Sequence, residues 1–121
     1  MMDVTISSIA DAGHDAKERL ILKVLKDTDA GYFAVFRTRF EDNAMTNRVS
    51  RAFWFPMRPV KQGDLIVLYT KPGDEGEKML RNGRTAYFFY WGRNEAQWSD
   101  ASYRPVVVST PEWDFVSPER E

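Results

Sequence analysis

Cysteine is missing from this 121-residue chain. No disulfide can staple the fold, and no thiolate can serve as nucleophile or metal ligand. Histidine occurs once, as His14. A single imidazole argues against most histidine-ligated metal sites and against histidine-activated nucleophiles. His14 lies in a polar loop and reads as a plain surface residue. No run comes near the ~18 apolar residues of a membrane-spanning helix. The opening residues, MMDVTISSIADAGHDAKERL, lack the basic n-region and the apolar h-region of a signal peptide. A soluble, cytoplasmic protein is the expectation. Net charge is scarce too: 17 Lys and Arg stand against 18 Asp and Glu. The chain as a whole therefore has no bulk attraction for polyanions. The G-x-S-x-G, P-loop and G-x-G-x-x-G signatures are all absent.

What the chain does have is rings and short apolar runs. Apolar residues make up 43% of it and aromatics 14%. That is enough for a core in a single domain, residues 1–121, ending in a short charged tail. VTISSI alternates Val4 and Ile6 with Thr5 and Ser7, as a half-exposed strand does. DAGHDAKE reads as a loop. In RLILKV, Leu20, Leu22 and Val24 share one strand face, and Arg19 and Lys23 share the other. GYFAVFRTRF begins apolar on both faces and ends with arginines on one. EDNAMTN reads as a hairpin loop, and RVSRAFWFP as the returning strand closed by Pro56. Within FWFPMRPVKQGDLIVLYT, Pro56 and Pro59 halt that strand. KQGD then turns the chain, with a positive φ expected at Gly63. LIVLYT is apolar on both sides, the pattern of a central strand. KPGDEGEKMLRNGR is a polar, exposed excursion. TAYFFYW and RPVVVST complete the set, and Trp113 and Phe115 are placed to pin down the end. About seven short strands with Gly, Pro and Asx turns, and no sustained 3.6-residue period, predict an all-β sandwich or small barrel.

The stretch FWFPMRPVKQGDLIVLYTKPGDEG, followed by YFFYWGRNEAQW, resembles the second half of a lamin-tail domain. The positions that carry the likeness are Phe53, Phe55, Pro56, Val60, Gly63, Ile66, Val67, Trp91 and Trp98. The opening VTISSIADAGHDAKERLILKVLKDTD is similar to that family's first strand, acidic loop and Glu-led second strand. DAGYFAVFRTRF has nothing like the Leu-Ser-Gly-Trp step that commonly follows there. The family occurs in nuclear lamins and in many bacterial proteins. The resemblance implies an immunoglobulin-like β-sandwich of about seven strands and a non-catalytic interaction role. Protein, DNA and membrane-surface partners all fall within the family's range, and fold analogy cannot choose among them.

The candidate interaction surface consists of Arg37, Arg39, Arg48, Arg51, Trp91 and Trp98. Residues 37–61 carry a net charge of +4, and residues 94–121 a net −4. In a hairpin, Arg37 and Arg39 stand across from Arg48 or Arg51. Such a face suits phosphate or an acidic partner, unless the acidic tail of the same chain, or another copy, neutralises it. Trp91 and Trp98 flank the loop GRNEAQ, where tryptophans mark either a binding edge or a covered core. The rings of YFFYW could offer a stacking platform, but rings on both faces favour a packed strand. Asp11, Asp15 and Glu18 match no hard-cation loop and read as solvated acids. Asp64, Asp74, Glu75 and Glu77 could supply a hydrolytic carboxylate pair, though their polar, Gly-rich context places them in solvent.

Three functional readings stay open. The first is an interaction module, without cofactor or small-molecule ligand, that binds a protein partner or a second copy. The second is a nucleic-acid binder using the arginine face. The third is a small hydrolase whose carboxylate site the sequence does not locate.

Overall fold

The structure is a computed structural model describing residues 2–119, and it is an all-β sandwich with ten strands among those residues. Two layers face each other. The larger sheet has five strands: β1 (Val4–Ala10), β2 (Arg19–Val24), β7 (Leu65–Tyr69), β8 (Gly76–Met79) and β9 (Thr85–Tyr90). Their spatial order is β1-β2-β7-β9-β8. The smaller sheet has three: β4 (Phe33–Glu41), β5 (Ala44–Trp54) and β10 (Tyr103–Ser109), in the order β10-β4-β5. A two-residue ribbon, β3 (Thr28–Asp29) on β6 (Pro59–Val60), bridges them beside a single 3₁₀ turn at Ala30–Tyr32. The expected seven strands become ten because β3, β6 and the exposed β8 are too short to leave a periodic signal.

Alternation selects the core. Leu20, Leu22 and Val24 of β2, Ile66 and Leu68 of β7, and Phe89 of β9 point inward and are fully buried. Phe33 and Val35 meet them from β4, and Phe55, Val60 and Trp98 close the ends. Each such side chain contributes about 1.5–3 kcal/mol by leaving water. The apolar LIVLYT run does form a central strand, β7, between β2 and β9. Its pairing with β9 is parallel. The chain leaves β7, forms β8 at the sheet edge, and returns as β9 into the gap between them.

Two turns show how local chemistry sets the register. Between Glu41 and Ala44 the chain reverses in two residues, with φ of 52° at Asp42 and 64° at Asn43. Positive φ at both central positions matches the twist of the flanking strands, and Asp and Asn tolerate it. The long polar loop expected over residues 41–47 is thus a tight turn, and β5 begins at Ala44. At the other turn, Gly63 has a φ of 92°, and its N–H donates to the Val24 carbonyl at 2.8 Å.

The four edges of the two main sheets are guarded against pairing with another chain. β1 carries a bulge between Ile6 and Ser8. β8 is only four residues long and presents Glu77 and Lys78. β5 breaks register twice and bears Arg48 and Arg51. β10 contains Pro105, which has no N–H to offer. Bulges, charges, shortness and proline are the usual means of blunting an edge.

Candidate functional site

The four candidate arginines do gather on the β4–β5 hairpin, with Arg37 directly across from Arg51. Two of the four, Arg39 and Arg48, are engaged by an acid, while Arg37 has neutral partners and Arg51 has no ion pair among the described residues. Glu41, at the tip of β4, bridges Arg39 and Arg48, the latter at 3.2 Å. The bond that Arg39 donates to the Glu41 carboxylate holds its guanidinium above its ordinary pKa. Arg37 Nε donates to the Gln97 carbonyl at 2.9 Å, its Nη1 donates to Ser50 Oγ, and its guanidinium lies 3.8 Å from the Tyr103 ring centre. The neutralising acid is therefore Glu41, from the hairpin itself. An open cleft of about 330 Å³ between Arg39, Glu41, Arg48 and Tyr103 has this acid in its wall.

The two candidate tryptophans sit elsewhere. Trp98 is 6% exposed and belongs to the core, the second of the two readings left open for it, which corrects its place in the candidate interaction surface. The reason lies in its backbone: the Trp98 N–H donates to buried Glu18, which draws the loop inward. Trp91 is half-buried against Trp98, at 6.0 Å between ring centres. From Trp91 a chain of rings continues through Phe53 and Phe55 to Phe89, with spacings of 5.9, 5.1 and 5.2 Å. Four of the positions that carry the lamin-tail likeness, Phe53, Phe55, Trp91 and Trp98, thus form one aromatic column through the sandwich.

The loop acids also need correcting. Glu18 is 0% exposed rather than solvated. Its Oε1 accepts from Thr70 Oγ1 at 2.5 Å and the Gln97 N–H at 2.7 Å. Its Oε2 accepts from the N–H groups of Gly13 at 2.9 Å and Trp98 at 3.1 Å. Four donors fill both oxygens and tie three distant segments together. Asp64 is 5% exposed and accepts from the N–H groups of Lys61 and Thr85. Glu75 and Glu77 flank Arg58 at 3.9 and 3.2 Å, while Asp74 is exposed. Each of these acids except Asp74 has a structural partner, and only Glu75 and Glu77 of the four meet, at Arg58. His14 is exposed, and among the described residues no group of three His, Asp or Glu converges to hold a metal.

A different surface emerges on the outer face of the three-stranded sheet. Register places Ala34 beside Trp54 and Val108, and Phe36 beside Ala52 and Val106. The segment after β10 runs back over this face, where Trp113 meets Trp54 edge-on at 5.1 Å. Trp54 Nε1 donates to the Gly31 carbonyl at 2.9 Å, which fixes that ring. A groove of about 300 Å³ lies between Ala34, Phe36, Ala52, Trp54, Thr110 and Trp113. Trp54 remains 48% exposed, Trp113 62%, and Phe115 beside it 76%. The tail rings pin the end only loosely. The sequence signal for this face was present: β4 begins apolar on both sides, and β10 holds three consecutive valines.

Compared with known protein families and with curated proteins, the chain matches none. No helix among the described residues is long and apolar enough to cross a membrane.

Proposed function

We propose that the chain is a non-catalytic interaction module of lamin-tail-like type that docks a protein surface on the outer face of its three-stranded sheet. The observation that carries this reading is the exposed apolar strip of Trp54, Trp113 and Phe115 beside Phe36. Large rings bury about 150–250 Å² each when fully covered, so at 48%, 62% and 76% exposure the three offer on the order of 300–450 Å², the size of a functional apolar patch. The blunted edges support docking by face rather than by strand addition. The aromatic column through Trp98, Trp91 and Phe53 supports the family likeness.

A second copy is the first occupant to test. Sedimentation velocity over a roughly hundredfold concentration range reads self-association directly. Concentration-dependent dimers that Trp54→Ser and Trp113→Ser abolish are the expected result. A strictly monomeric chain moves the occupant to a different protein. Association untouched by both substitutions removes this face from the reading.

The nucleic-acid reading is weaker on this geometry, because Glu41 engages Arg39 and Arg48, two of the four arginines. A phosphate approaching Arg39 or Arg48 must compete with that carboxylate.

A further inference from the structure

We infer that the pocket between Lys71 and Arg93, at the far end of the five-stranded sheet, is a binding site for a compact oxyanion group, phosphate or carboxylate. The pocket is about 420 Å³ and is lined by Asp15, Ala16, Lys71, Pro72, Arg93 and Asn94. Among the described residues neither Lys71 nor Arg93 forms an ion pair, in contrast to Arg19, Arg39, Arg48 and Arg58. Arg93 Nε is buried and has no hydrogen-bond partner. A buried guanidinium N–H without an acceptor is costly, and such a group in a native fold calls for an explanation. An oxyanion supplies one: it accepts from the guanidinium fork and meets the ammonium as a second charge.

The site is also held in place. The Trp91 N–H donates to the Tyr69 carbonyl at 2.8 Å, Gly92 to Lys71 at 3.3 Å, and Arg93 to Thr70 at 2.8 Å. These bonds extend the sheet ladder past β7 and fix both cations on adjacent backbone. Thr70 is in turn bonded to buried Glu18. The Lys71 ammonium lies 5.1 Å from the Tyr69 ring centre, which steers it without neutralising it. Backbone fixed on both sides of the pocket lowers the ordering cost of binding. Asp15 on the rim opposes the anion, so the affinity for a small ion is of millimolar order.

The test uses the intact chain and two-dimensional amide NMR. Inorganic phosphate and acetate are titrated separately at fixed ionic strength, with chloride as the balancing ion. Saturable shifts confined to Lys71 and Gly92–Asn94 are the expected result. Stronger response to phosphate identifies a phosphate ester as the natural group, and stronger response to acetate a carboxylate. Lys71→Gln, on a half-buried rim residue, should weaken binding roughly tenfold. Arg93→Lys keeps a charge at this half-buried position while removing the fork, and should also weaken binding. Asp15→Asn should tighten it several-fold. Arg58→Gln, distant from the pocket, should leave it unchanged. Shifts that never saturate, or that persist undiminished in Lys71→Gln and Arg93→Lys, overturn the assignment.

Discussion

Replacing Glu18 by Gln exchanges one oxygen for an NH₂ group inside a site where every neighbour is a donor. If the new nitrogen takes the Oε2 place, the N–H groups of Gly13 and Trp98 both face a donor. If it takes the Oε1 place, only the Gln97 N–H is stranded, because the Thr70 hydroxyl can rotate and accept. The second arrangement is cheaper, so the variant should adopt it. One stranded buried donor costs about 1–3 kcal/mol, and the remaining bonds lose the extra strength of a charged acceptor, roughly 0.5–1.5 kcal/mol each. The sum is about 2–6 kcal/mol. A domain of this size has on the order of 6–18 kcal/mol in total, so the substitution should be felt severely. Urea unfolding followed by tryptophan fluorescence reads it, with Trp98 as an adjacent probe. Thr70→Val should cost less, about 1–2 kcal/mol, and the pair should be non-additive. A loss below about 1 kcal/mol for Glu18→Gln would refute the four-donor account.

Gly63→Val should cost on the order of 1–3 kcal/mol, because a β-branched residue is strained at a φ of 92° and its Cβ would lie 2.6 Å from Arg84 Nε. Unchanged urea unfolding would exclude that conformation. Asp11 and Asp100 are held below the usual carboxylate range, the first chiefly by the bond from Arg19 and the second chiefly by the Ser102 N–H. A depressed folded pKa stabilises fully above the unfolded value and fades as pH falls through the folded one. Stability contributed by these two groups should therefore be complete above about pH 5 and fade on acidification below about pH 4, and Asp11→Asn and Asp100→Asn together should flatten that limb. A limb of unchanged slope in the double variant contradicts the assignment. The intact chain should bind duplex DNA no more than weakly at physiological salt, since Glu41 engages two arginines. Fluorescence anisotropy giving submicromolar affinity, with a salt slope that Arg39→Ala and Arg51→Ala reduce by roughly two, would restore the arginine face as a nucleic-acid site.

Much of the architecture was legible because it rests on alternation and on turn residues. Leu20, Leu22 and Val24 announce an inward face, and Gly63 announces its turn. The run from Leu65 to Tyr69 announces a central strand. The short pieces were not legible, since a two-residue strand such as Thr28–Asp29 has no period to detect. The tight Asp42–Asn43 turn was hidden in a polar stretch long enough to read as a loop. The buried acids were missed for a sharper reason. Glu18 is buried by donors drawn from residues 13, 70, 97 and 98, and no local window contains them. Trp98 was ambiguous on the same account: the carboxylate that pulls its backbone inward lies 80 positions away. The Lys71–Arg93 pocket joins two strand exits that parallel pairing brings together, a juxtaposition invisible before the β7–β9 register is known.

The Glu18 knot has a consequence for how the chain folds. Its bonds close loops of 5, 52, 79 and 80 residues, and loop closure is an entropic toll that long-range contacts meet only after shorter ones are in place. The hairpin β4–β5 and the pair β1–β2 can form from neighbouring residues alone. The carboxylate receives its last donors only when Gln97 and Trp98 arrive. Contacts made after the barrier govern the rate of escape from the native state more than the rate of entry. The knot therefore acts as a latch: weakening it should speed unfolding by orders of magnitude while refolding proceeds at nearly its original pace.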